Sequence, residues 1–251
     1  METKRFIAYF DILGFKEIVN KNSIQDLNKL LNQLIIASQG VISNFKLKRT
    51  EVSPAYDISK SNIKCLHISD SIIFWTKSDS EKDFKELVNT CKNLYHLSFQ
   101  LSIPLRGCIV YGDIIECFDS IYNFHCASVL GQGIVDAYLK AESLECSACI
   151  VDESIYSKVS QKQIDLLEKD NVLYRMNNIP RKSGKENQSK SLNDFVIKLD
   201  VNNNSLSNIK DMITTSFTYH QKINIDKLAE SVKMKLKNTI DLIELFNTDR
   251  H

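Results

Sequence analysis

The stretch RFIAYFDILGFKEIV, Arg5 to Val19, sets the reading of the whole chain. Phe6 to Phe10 form an unbroken apolar run, which suits a buried strand. Asp11 ends the run, and Ile12-Leu13-Gly14-Phe15 turn the chain toward a helix expected over about residues 14–20. A carboxylate at that junction has two available roles. It caps the helix, or it is a ligand held at the rim of a sheet.

The 251 residues suit one large domain, or a core domain with an appendage, and a hydrophobic fraction of 43% is enough for a substantial core. The 32 Lys and Arg nearly balance 31 Asp and Glu, which argues against a nucleic-acid-binding surface. No apolar run reaches the ~18 residues of a membrane span, and residues 1–5 lack the pattern of a signal peptide. The seven cysteines (65, 91, 108, 117, 126, 146, 149) are scattered, with Cys146 and Cys149 the one Cys-x-x-Cys pair. They read as reduced core thiols of a cytoplasmic protein rather than a zinc site.

Outward from the opening strand, Ser23 to Asp26 reads as a helix start, with apolar residues at helical spacing from Leu27 to Ile36. NIKCLHISDSIIFWTK, residues 62–77, reads as two strands bent around Ser69-Asp70-Ser71. A second amphipathic helix is expected over 80–101, and Pro104 leads into a strand from about 105 to 115. A strand near 123–130, a helix opened by Gly131, a short strand ACIVD, a helix at 161–170 and a final strand pair follow. The charged loop near 181–190 is expected to be mobile. Two domains are expected: a core over 1–200 and a helical extension over 201–251. This order predicts a mixed α/β (α+β), ferredoxin-like domain, a mostly antiparallel sheet with helices on one face.

In a β-α-β-β unit the first strand lies beside the hairpin that follows the helix. Asp11 and the Asp70 bend then become neighbours. Two carboxylates brought together repel unless a cation lies between them, and Mg²⁺ or Mn²⁺ suits such oxygen ligands. The Ile12 carbonyl is a further donor, and backbone N–H groups after Asp11 suit phosphate. Taken singly, Asp11 still reads as a cap and Ser69-Asp70-Ser71 as an ordinary turn.

Four segments, in order, resemble those of the class III nucleotidyl cyclases: FDILGF, HISDSIIFW, LRGCIVYGDII and SVLGQGIVDAYLKAES, spanning roughly residues 5–155. The resemblance implies that family's fold, a two-metal site, and a head-to-tail homodimer whose sites are shared across the interface. It matches Asp11 and Asp70 to the two metal aspartates, Ile12 to the carbonyl donor, and Gly14 and Phe15 to the triphosphate loop. The residue three before the second aspartate, a base reader in the purine enzymes, is His67 here; its partner, three before the glycine, is Ser128. Neither purine pair is present. Tyr9 and Tyr111 are further candidates for the base side. The family's Asn and Arg, four apart on a helix, find Asp136 and Lys140 at that spacing if one residue is inserted after Gly131. Arg106, beside Gly107, is an alternative cation for the phosphates. Tyr138 is expected to pack the helix on the sheet, and Trp75 to be core.

The implied activity is conversion of a nucleoside triphosphate, leaning to UTP or CTP, into a 3′,5′-cyclic mononucleotide and pyrophosphate. An antiphage signalling role is implied with it, as in the Pycsar systems. A catalytically silent, nucleotide- or protein-binding module of the same fold is the second reading. An unrelated ferredoxin-like structural domain is the third.

Overall fold

The computed structural model describes residues 3–50, 53–121, 124–182, 194–199, 206–218 and 224–248. Strand β1 (Thr3–Ile12) lies between β5 (Ser71–Thr76) and the long β6 (Leu105–Ile121), antiparallel to both. The sheet runs β4 (Ile63–Ile68), β5, β1, β6, β8 (Cys149–Val151), β10 (Asp194–Ile197), β9 (Leu173–Met176), and β7 (Phe124–Leu130) pairs with the outer half of β6. All pairings are antiparallel except β6 with β8.

Helices cover both faces of this sheet, not one. Phe6, on one side of β1, meets Phe84 of α3 (Glu81–Gln100) with ring centroids 5.1 Å apart. Tyr9, on the other side, meets Tyr138 of α4 (Gln132–Ser143) edge-on at 5.5 Å. The physical reason is already in the opening stretch: a central strand covered on both faces is apolar at every position rather than at alternate ones. Phe6, Ile7, Ala8 and Phe10 are accordingly fully buried. Losing a ring such as Phe84 from this core would cost about 3–5 kcal/mol.

Local signals placed the helices well. Ser23 caps α2 (Ile24–Ile42) by accepting from the Asp26 N–H, and Ser80 caps α3 by accepting from the Asp83 N–H. The polar stretch after α2 holds a small hairpin, β2 (Leu47–Lys48) with β3 (Ala55–Tyr56). Strand β6 runs on to Ile121, beyond the expected end, because β7 folds back on it as an arm from the sheet. Helix α4 crosses β6 glycine to glycine: a Cβ on Gly112 would come within 2.7 Å of the Gly133 Cα. That close approach seats α4 low over β1 and presses Tyr138 onto Tyr9.

Helix α5 (Gln161–Lys169) precedes the β9–β10 pair. Residues 183–193, most of the expected charged loop, lie outside the described residues. Helices α6 (Leu206–Phe217) and α7 (Glu230–Thr248) pack on the body: Phe246 meets Tyr174 at 5.3 Å, and the Thr239 hydroxyl accepts from the Ser147 N–H. All seven cysteines are free thiols. Among the described residues no helix is long and apolar enough to cross a membrane.

Candidate active site

Alternation along β1 sends Ile7, Tyr9 and Asp11 to the α4 face. Asp11, at the strand's end, lies opposite Ser71 on β5 and Arg106 on β6. It does not cap α1 (Phe15–Lys21). Gly14 occupies the cap position in the left-handed region (φ 81°), with no side-chain cap. The Phe15 and Lys16 N–H groups, at the first two positions of α1, have no acceptor within the helix.

The turn between β4 and β5 is the two residues Ser69 and Asp70, with Ser69 at φ 54°. The Ile12 N–H donates to the Asp70 carbonyl at 3.2 Å, which ties the turn to the end of β1. The Asp11 and Asp70 carboxyls therefore stand side by side. Burial pushes the Asp11 carboxyl above its ordinary value; the Arg106 guanidinium draws it back, and the Asp70 carboxylate adds to the rise. Arg106 donates from Nε (2.9 Å) and Nη2 (2.7 Å) to Asp11 Oδ2, and from Nη1 to the Glu142 carbonyl at the end of α4. Both side chains are shielded, Arg106 12% and Asp11 13% exposed.

Beside them the Tyr9 and Ser71 hydroxyls hydrogen-bond at 2.6 Å. Burial raises the Tyr9 phenol, and Asp11 and Asp70 lie near enough to add to that rise. Two carboxylates in contact, with Arg106 held to only one oxygen of the pair, present the charge that a hard divalent cation neutralises. They fit a site that takes its remaining ligands from water and phosphate. Among the described residues no cluster of three or more Asp, Glu, His or Cys offers a fuller cage.

Other expected residues lie elsewhere. His67 faces the opposite side of the sheet, where its Nε2 meets the Ser38 hydroxyl of α2 at 3.0 Å. The pairing of Ile68 with Ser71 puts Leu66 and Ile68, not His67, on the Asp11 face. Lys140 is ion-paired with Asp152, and Asp136 accepts from Gln132. Ser128 is on the β7 arm opposite Cys117, some eleven residues beyond Arg106 along β6, or roughly 35 Å. Tyr111 donates to Asp79, away from Asp11. Trp75 is core, with its indole N–H on Glu116. The Arg106–Asp11 pair and Ser71 are site members that sequence reasoning did not join to the aspartates. Their signal was strand parity combined with a register that only pairing reveals.

By sequence, no family model and no curated protein matches the chain. Solved structures do. The guanylate cyclase domain of RhGC from Catenaria anguillulae, in complex with GTP, superposes with TM-score 0.54 at 12% identity over 78% of this chain and 96% of that one. The non-canonical dimeric guanylyl cyclase domain of a RhoGC fusion protein from Blastocladiella emersonii gives 0.55 at 11% identity over 78% and 97%. A bacterial light-regulated adenylyl cyclase gives 0.50 at 11% over 86% and 99%. The fold of this chain is that of nucleotide cyclase catalytic domains.

Proposed function

We propose that the protein is a nucleotidyl cyclase that converts a nucleoside triphosphate into a 3′,5′-cyclic mononucleotide and pyrophosphate. The observation that carries this is the pairing of Asp11 and Asp70 at the sheet rim, in a fold shared with cyclase domains. Mg²⁺ or Mn²⁺, two ions, would be held by Asp11, Asp70 and the Ile12 carbonyl, and would supply charge neutralisation at the phosphates and activation of the ribose 3′-oxygen.

The chain's own groups do the rest. Arg106 orients Asp11 and supplies positive charge beside the phosphates. Gly14 and Phe15 offer backbone N–H groups at the same rim. The Tyr9–Ser71 hydrogen bond stiffens the strand ends that carry the two aspartates. At 66 and 68 the site face carries apolar residues, where the purine enzymes it resembles have a Lys or Glu nearby. The lean to UTP or CTP rests on the missing purine pair at His67 and Ser128, and the antiphage signalling role on the resemblance alone. Catalysis is assigned to residues 1–200, and residues 201–251 form its extension.

The reading includes a homodimer. Helix α4 exposes Val135, Tyr138 and Leu139 (47%, 43% and 41%) along one stripe bordering the site. Ser128, remote from Asp11 in its own chain, would complete the partner's site. The deciding experiment incubates purified protein with Mn²⁺ and each of ATP, GTP, CTP and UTP, with mass-spectrometric detection of products. One cyclic product is expected; none from any of the four overturns the reading.

A silent nucleotide-binding module is favoured by one observation: Arg106 and Lys140 both already hold carboxylates within the chain. Mn²⁺-dependent nucleotide binding without turnover would select it.

A further inference from the structure

The seven cysteines divide by place, and not all are the core thiols that their surroundings in the sequence predict. Cys91, Cys108, Cys146 and Cys149 are buried, and burial pushes their thiols up, Cys146 to about 12. Cys65, partly buried on β4, is pushed up to about 12 as well. A thiol held so far from ionisation is a poor nucleophile, so these five act as packing groups. Cys117 and Cys126 are different. They lie on the two strands of the β6–β7 arm, Cys117 exposed and Cys126 partly exposed.

The register of the arm sets Cys117 opposite Ser128 and Cys126 opposite Asp119. The two cysteines are therefore diagonal neighbours on one face of the ribbon. Their thiols are within hydrogen-bonding reach of each other. The nearness of the Cys126 sulfur, and to a lesser degree the Asp119 charge, pushes the Cys117 thiol above its ordinary value. Phe118 points to the other face and stacks on Trp75, with centroids 6.5 Å apart and planes 12° from parallel. The thiol face is thus turned away from that contact. Diagonal neighbours lie roughly 7 Å apart at Cα, a little beyond the ~6.8 Å that a disulfide spans. A two-stranded ribbon twists more strongly than a wide sheet. Closing a bond between these sulfurs asks for a small change of twist, not a rearrangement.

We propose that Cys117 and Cys126 form a redox-active dithiol on the arm, closed to an intrachain disulfide by hydrogen peroxide. The thiolate of one attacks a peroxide oxygen, which leaves a sulfenic acid on that sulfur and releases hydroxide, protonated to water. The thiolate of the other attacks the same sulfur and expels a second hydroxide, also protonated to water. In sum the two thiols give up two electrons and two protons, one S–S bond forms, and hydrogen peroxide is reduced to two waters. Contact between the sulfurs lets the second step outrun further oxidation of the sulfenic acid. The bridge staples the strand that carries Ser128 to its neighbour. The inference does not rest on the cyclase reading. Its test treats the reduced full chain with a few equivalents of hydrogen peroxide and maps chymotryptic peptides, unreduced, by mass spectrometry. Peptides carrying Cys117 and Cys126 are expected joined, and separated again by dithiothreitol. Phenylarsine oxide, which bridges paired thiols, is expected to bind the reduced chain, and at least tenfold more weakly in Cys117→Ser or Cys126→Ser. Both side chains reach solvent, so the melting temperature of each variant should match the parent's. Sulfinic acid at either position without a bridge, or arsenical binding equal in the variants, overturns the inference. A link from either cysteine to a second chain also overturns it, in favour of a contact between copies.

Discussion

The end of β1 and the β6–β7 arm make opposite kinds of site. At the end of β1, five side chains from three adjacent strands and the β4–β5 turn come together: Tyr9, Asp11, Asp70, Ser71 and Arg106. All are partly or well shielded: Arg106 holds Asp11, the Tyr9 and Ser71 hydroxyls hold each other, and the Ile12 N–H holds the Asp70 carbonyl. On the arm, Ser128 sits on a two-stranded ribbon roughly 35 Å away, next to exposed residues such as Phe118 and Leu130. On the proposed reading, a single chain preorganises the half that would take metal and phosphate and leaves the other half without a wall. If the proposed cyclase reading holds, the difference points to a dimer, rather than the protomer, as the unit in which to seek function.

The largest expected effect is at the rim. Asp70→Ala should lower turnover at least a thousandfold and abolish Mn²⁺-dependent nucleotide binding, because one carboxylate beside an arginine leaves little charge for a cation. Unchanged Mn²⁺ affinity in that variant would break the rim's side of the comparison.

Next comes the ion pair. Arg106→Gln leaves Asp11 shielded and unpaired beside Asp70, at a cost of about 3 kcal/mol in denaturant unfolding. Mn²⁺ should restore part of that stability by taking the place of the guanidinium. If the variant is as stable as the parent without metal, the pair is not what holds the rim.

The arm's side is sharpened by dilution. Specific activity should fall roughly tenfold as protein is diluted through its dimer dissociation constant, and Tyr138→Asp should cause the same loss at high concentration. Activity that stays constant down to a demonstrated monomer would show that one protomer suffices.

A smaller effect separates the two faces of β4. Leu66→Lys should change which nucleotide is used, and His67→Ala should not. His67 instead contributes a pH dependence. Burial holds its imidazole below the usual value of 6.5, so the unfolded chain binds more protons between the folded value and 6.5. Stability therefore rises with pH through that window and is lost as pH falls through it. Urea unfolding across pH 5–7 should show a shallower slope in His67→Gln.

Much of this molecule was legible before folding was considered. The apolar run at residues 6–10, the serine caps at 23 and 80, and the bend at 69–70 are local signals. Each depends on a few adjacent residues, so elements and their order could be read from the chain. The meeting of Asp11 with Asp70 was legible too, because a β-α-β-β order leaves few places for the hairpin. What a cross-strand register decides was not. A shift of one residue reverses the face of every side chain, and so His67 turned to α2 while Leu66 took the site face. Nor could spacing show that Lys140 is tied to Asp152, twelve residues on, or that Arg106 reaches across to Asp11. Those pairings depend on where helices and strands come to rest. The sequence by itself determined the elements and the two aspartates; the tertiary structure decided which charges meet and which face each residue shows, because partner choice between distant segments is set by packing and register rather than by local propensity.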